Sequence, residues 1–266
     1  MKMNRGISVV LTVAVMTIVA GGCASSSTKT EAPSEPKQIR VVPVKNQEAM
    51  NELKKMGDAL SSAKSMSFLA TMMTPIRGAN AQWIHVFTTA KVELKRPNKL
   101  SIETGGDAFP QHIYFDGTTF KSVSEEKKLY TEAPMPGTID QMLAKASKDA
   151  GDSFAFADVL IADPLTSWTT GLEGAVYIGE STRGGEKLQH LALTAKDVNW
   201  EVWTDEKSHL PRMVFVKYIG ETHSPSVLIE FSKWKTNSSI SDSHFKYRSP
   251  KGFIKVALKA PEGAGK

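Results

Sequence analysis

Histidine is the side chain best suited to proton transfer or metal ligation near neutral pH, and the chain carries six: His85, His112, His190, His209, His223 and His244. None stands in an H-E-x-x-H string, and no two are three or four residues apart, so no helix turn offers a metal pair. Each reads as a structural or surface residue, and no metal is expected. Gly179-Glu180-Ser181-Thr182-Arg183 has half of a nucleophile elbow but lacks the second glycine and a following helix. A hairpin end before Gly184-Gly185 accounts for it better. No phosphate-cradling glycine string occurs, so no nucleotide cofactor is expected. Glu125 and Glu126 adjoin Lys127 and Lys128 and read as a solvated turn. Carboxylates brought together from distant positions stay an open alternative. The expectation is a chain without enzymatic chemistry or a cofactor.

The residue whose position does point to a reaction is Cys23, the single cysteine. A lone thiol excludes an intrachain disulfide and a Cys-based zinc cluster. Lys2 and Arg5 precede an uncharged apolar run from Ile7 to Ala20, and Gly21 and Gly22 lead to Cys23. That run is shorter than the roughly 20 residues of a transmembrane helix and suits a signal-peptide core. Small residues before a cysteine resemble the bacterial lipoprotein signal, although Ala20 stands where that pattern prefers leucine. The resemblance implies a signal peptide over residues 1–22, cleavage before Cys23, and diacylglycerol on its sulfur with acyl chains such as palmitate. The alternative is an ordinary secretory signal with a chance cysteine. Ala24 follows, not the aspartate that holds many lipoproteins at the inner membrane, so the expected address is the outer membrane, facing the periplasm. Residues 23–45 are rich in Ser, Thr, Glu, Pro and Lys and read as a disordered tether, able to hold a domain about 25 Å from the bilayer.

The remainder has the makeup of a folded domain. Of 266 residues 41% are hydrophobic and 23% charged, which excludes a disordered chain and a polytopic membrane protein. The net charge of +5 comes from basic residues scattered rather than striped, so no nucleic-acid partner is expected.

Met50, Leu53, Met56 and Leu60 recur at helical spacing, with Lys54, Lys55 and Asp58 on the wet side. From Trp83 the period becomes two: Ile84, Val86, Thr88, Ala90, Val92 and Leu94 share a face, and Pro97 ends the strand. Leu100 and Ile102 continue in the next strand, and two more flank the Asp116-Gly117 turn. The segment after Thr138, its expected N-cap, is helical with Ile139, Met142, Leu143 and Ala146 on one face. One or two short helices, broken at Pro164, follow and carry Val159 and Leu160. Five strands then resume to Trp234, with a short last one near the end. Trp200 and Trp203 fall on opposite faces of one strand, so at least one should meet the inner surface, either as core or against a ligand. Met72, Met73 and Met142 are expected near a helix–sheet interface. The pattern predicts an α+β fold, an antiparallel sheet with helices on one side.

In chain order, MGDALSSAKSMSF, KRPNKLSI, IYFDGTTFKSV, KLYTEAPMPGTID, ADPL, YIGEST, HLALTAKDVNWEVWTD, LPRMVFVKY and HFKYRSPKGF resemble a family of predicted bacterial periplasmic proteins catalogued as a domain of unknown function. The likeness extends over residues 48–256. That family is similar to the LolA and LppX superfamily of lipoprotein carriers. The resemblance implies a curved antiparallel sheet forming an incomplete barrel, with helices across its concave side and a cavity for lipid or acyl chains. It implies one such domain over residues 46–260 and a disordered tail at 261–266. The residues expected to line the cavity are Ile84, Val86, Val92, Leu94, Leu100, Ile102, Ile139, Met142, Leu143, Val159 and Leu160. Two functional expectations follow: a lipid-anchored, non-catalytic envelope protein binding lipid, an acyl chain or a lipoprotein, or an interaction module that senses envelope stress through a protein partner. A hydrolase is a third.

Overall fold

A computed structural model of the chain describes residues 44–107, 110–150, 156–247 and 251–257. The expected signal peptide, Cys23, most of the expected tether and the expected tail lie outside these residues. Helix α1 (Gln47–Ser61) leads into β1 (Ser65–Arg77), β2 (Trp83–Lys95), β3 (Lys99–Gly106), β4 (Gln111–Phe115), β5 (Thr119–Ser124) and β6 (Leu129–Pro134). Helices α2 (Ile139–Ala150), α3 (Ala157–Leu160) and α4 (Pro164–Thr169) follow. Then come β7 (Leu172–Arg183), β8 (Glu186–Ala195), β9 (Val198–Asp205), β10 (Pro211–Lys217), β11 (Ser226–Thr236) and β12 (Ile254–Lys255), with a 3-10 turn at Asp242–Phe245.

All twelve strands form one open, curved sheet in the order β12-β6-β5-β4-β3-β2-β1-β11-β10-β9-β8-β7. The neighbours run antiparallel except β12, which pairs parallel with β6. The helices sit on its concave face, and their buried residues join those of the strands in one core. The expected α+β architecture is what the coordinates show.

Local chemistry sets the elements. Asn46 caps α1, its side chain accepting from the Ala49 N–H at 3.0 Å. At α2, the Thr138 N–H donates to Gln141 Oε1 at 2.9 Å, and Gln141 N–H donates to Thr138 Oγ1 at 3.3 Å. This is a reciprocal capping box, as a threonine three residues before a glutamine allows. Pro164 opens α4 where it needs no donor. Gly57 lets α1 approach α4, since a Cβ there would stand 2.7 Å from Leu165 Cβ.

Strand β1 is not legible as a strand in the sequence, and its partners explain why. Met66, Phe68, Ala70 and Met72 face the core, but Leu69 and Met73 on the other face blur the alternation. Met72 packs against the core as expected, whereas Met73 lies on the opposite face. A bulge in β11 opposite β1 puts Lys233 in a left-handed conformation, φ 56°. The extra residue turns Trp234 inward, where its ring lies 4.4 Å from Phe68.

Candidate ligand site on the concave face

Val92 and Leu94 on β2, with Leu100 and Ile102 on β3, present a continuous aliphatic surface, each residue fully buried. Across from it stand Ile139, Met142 and Leu143 of α2 and Val159 and Leu160 of α3. These nine expected lining residues share one packed core. Ile84 and Val86 do not join it: Ile84 is exposed and Val86 half-buried, because both lie on the part of β2 that runs past its β3 partner. They are not part of the covered surface.

Among the described residues no open apolar cavity separates the layers, contrary to the half-barrel cavity expected from the sequence. Aromatic rings fill the curvature. Phe68 meets Phe156 at 6.0 Å and Phe231 at 5.7 Å, while Phe115, Phe120 and Trp168 are also buried. A surface curved enough to leave space under short aliphatic side chains is filled by side chains that bury 150–250 Å² each. Trp200 packs against the same core, and Trp203, on the outer face, stacks on His190 at 4.1 Å.

Helices α2, α3 and α4 therefore act as a cover, held to the sheet by specific polar joints. Arg96, at the end of β2, donates Nη1 to the Leu160 carbonyl at 2.8 Å and Nε to the Ala63 carbonyl at 3.2 Å. Its Nη2 reaches the Leu60 carbonyl at 3.4 Å. One guanidinium thus ties the C-terminal ends of α1 and α3 to the sheet, satisfying carbonyls that helix ends leave free. Burial lowers the Arg96 pKa from its ordinary value, opposed by Asp140, and the group stays a cation. The Ile139 N–H donates to the Pro97 carbonyl at 2.9 Å, and Asp140 accepts from the Ala162 N–H at 3.1 Å. Arg96 carries no sequence signal beyond sitting before Pro97; its role depends on helix ends brought close only by the fold.

On the convex face, Ser101 Oγ lies 2.9 Å from His112 Nε2, and the Tyr114 hydroxyl 2.7 Å from Nδ1. Burial lowers the His112 pKa and pushes the Tyr114 hydroxyl up to about 12. The pair sits within the β3–β4 ladder, where backbone N–H groups are committed to strands rather than aimed at a reacting oxygen. His190 contacts Glu201 at 2.9 Å and His244 contacts Glu93 at 2.8 Å, each across neighbouring elements. Asp242 bridges Lys95 and Lys99, which hold its carboxyl down at about 2 and fasten the 3-10 turn to the sheet. A shallow polar groove of about 300 Å³ runs between Ser67, Glu93, Lys235 and His244 on this face. Among the described residues no cluster of three or more His, Cys, Asp or Glu could hold a metal ion.

The model of one protein family, described as predicted periplasmic protein (DUF2092), matches residues 49–259. No curated protein sequence matches the chain. Among solved structures, MucB in the Pseudomonas aeruginosa MucA/MucB complex is similar at 14% identity and a TM-score of 0.42, over 76% of this chain and 61% of that one. The chain thus spans less than two thirds of MucB. The Mycobacterium tuberculosis lipoprotein LppX is similar at 14% identity and a TM-score of 0.43, over 73% of this chain and 97% of that one. A LolA superfamily protein from Nitrosomonas europaea is similar at 13% identity and a TM-score of 0.36, over 75% and 97%.

Proposed function

The chain belongs to the DUF2092 family of predicted periplasmic proteins, and from that premise we propose that it is a non-catalytic, lipid-anchored envelope protein that takes up an acyl chain or lipid between its sheet and the α2–α4 cover. The observation that carries this reading is the aliphatic concave surface of β2 and β3, closed by short helices that join no strand ladder. An apolar chain can take the place of the cover's side chains without breaking the sheet. Each CH₂ transferred contributes roughly 0.8 kcal/mol, so about 14 carbons supply up to ~11 kcal/mol to set against association and the undocking of the cover. Native mass spectrometry of protein extracted gently from membranes is expected to show a lipid or fatty-acid adduct. If none is present, and a fluorescent fatty acid does not bind lipid-free protein, uptake fails. The second reading, a module that binds an envelope protein, then takes its place; the filled concave face favours it.

Anchoring rests on Cys23 following a charged start, an apolar run and two glycines. Growth with an alkyne fatty acid is expected to label the wild type and leave Cys23→Ala unlabelled; equal labelling of both refutes it. Ala24 supports outer-membrane sorting, and recovery of the mature protein mainly with inner membranes of its own host would count against that address.

A further inference from the structure

Strands β1 and β2 outrun their neighbours. Pairing with β3 stops at Thr88 and pairing with β11 at Met73, yet the β1–β2 register continues through Thr74–Val86, Pro75–His85, Ile76–Ile84 and Arg77–Trp83. A two-stranded ribbon about 13 Å long, plus its turn, therefore projects beyond the sheet. Ile76 is 41% exposed, Trp83 40%, Ile84 37% and Phe87 50%. By strand alternation Ile76 and Ile84 point to one face, Trp83 and Phe87 to the other. Between Met66 and Ala90 the single formal charge is that of Arg77, whose guanidinium lies 5.0 Å from the Trp83 ring centre. Asp107, just past β3, accepts from the Phe87 N–H at 2.8 Å, and His223 of the β10–β11 turn meets the Trp83 ring edge-on at 5.9 Å.

We propose that this ribbon is a bilayer-contacting element, its end seated at the headgroup–acyl boundary of a phospholipid membrane. Three features single out a membrane. A protein surface covers one face of a ribbon, whereas here both faces expose large apolar side chains, as a surrounding apolar medium requires. Tryptophan beside arginine, with no carboxylate on the ribbon, suits the interface of an anionic bilayer. The third feature is direction. Lys45 pairs in parallel with Ala175 of β7, and the cross-strand row from Ala175 runs through Leu193, Trp200, Val216 and Val227 to the level of Thr74 on β1. Since β7 and β1 run in opposite senses, the chain enters Lys45 from the end of the sheet at which the ribbon projects. Val44, ahead of Lys45, lies on that same side, so a domain anchored through Cys23 would present the ribbon to the membrane that holds it. The proposal deepens the anchored-envelope reading and rests on it.

The test uses the full chain, purified in detergent from bacterial membranes and reconstituted in vesicles of phosphatidylethanolamine and phosphatidylglycerol with brominated acyl chains. An environment-sensitive fluorophore is attached to Ala79→Cys in the ribbon turn or, as a control, to Lys207→Cys in the β9–β10 turn at the opposite end. Wild type is the labelling blank, because a thioether at Cys23 takes no label; labelling there would show the anchor absent and count against the anchored reading itself. With the blank clean, quenching at position 79 should exceed that at 207 by about threefold or more, as burial ~5–10 Å into the boundary would give. Adding Trp83→Ser and Ile84→Ser should bring the two positions together. Equal quenching at 79 and 207 in anchored protein overturns the proposal. So does a position-79 probe left unquenched in vesicles but shielded in native envelopes, which would mark a protein partner.

Discussion

Arg96→Met is expected to lower the stability of the domain by about 2–4 kcal/mol and to free the helix layer before the sheet unfolds. Methionine keeps an apolar stem along the core edge, so the loss isolates the guanidinium. Three carbonyls, at Leu60, Ala63 and Leu160, lose their donor together. An orphaned buried acceptor costs about 1–3 kcal/mol, and partial access to water at the helix ends brings the sum below three full penalties. Arg96→Lys should recover only part of the loss, because an ammonium on a flexible stem cannot reach carbonyls on two elements in a fixed fork. Urea unfolding gives the stability, and amide exchange locates it. Protection should fall first across α3, α4 and the end of α1, with the β2–β3 ladder holding. Uniform loss throughout the sheet, or full rescue by lysine, would mean that Arg96 is not a joint between layers.

Such a joint is invisible in the sequence for a physical reason. Periodicity records which face of an element is apolar, and that face was readable for α1, α2, β2 and β3. Leu53, Met56, Ile139, Met142, Val92, Leu94, Leu100 and Ile102 are all buried. Arg96 acts on carbonyls 33, 36 and 64 residues away, whose proximity arises only after folding. Register escaped for a related reason. A single extra residue, Lys233 in the left-handed region, decides that Trp234 faces Phe68 rather than solvent.

The concave surface teaches the complementary point. Alternation placed Ile84 and Val86 on the same face as Val92 and Leu94, and the strand keeps that alternation. Face and cover are different properties. How far a neighbouring strand or helix extends along β2 is fixed by the lengths of β3 and of the cover, and no residue of β2 encodes it. The aliphatic pattern also says nothing of the aromatics that meet it from elsewhere. Phe156 arrives just before α3, and Phe231 comes from a strand distant in sequence. Together they convert an expected cavity into a packed core.

That packed core sets the terms of the ligand test. Leu143→Asp is expected to reduce binding of a fluorescent fatty acid by at least about tenfold, the equivalent of 1.4 kcal/mol, because a carboxylate next to an inserted chain must lose its water. Leu143 suits the substitution better than Met142: it is 8% exposed against 1%, so at the rim of the core the new charge can reach solvent while the cover stays docked. The folded domain should still lose about 3 kcal/mol for the missing leucine. Thermal unfolding must therefore show a cooperative transition before binding is compared, and Leu143→Thr serves if the aspartate variant does not fold. The variant also separates two ways of emptying the site. A ligand lying beneath a loosened α2 stays against residue 143, and a polar residue there should affect affinity more than the rate of entry. A ligand bound elsewhere would be indifferent to position 143. Equal affinity in wild type and a folded Leu143→Asp variant would remove the concave face as the site of uptake.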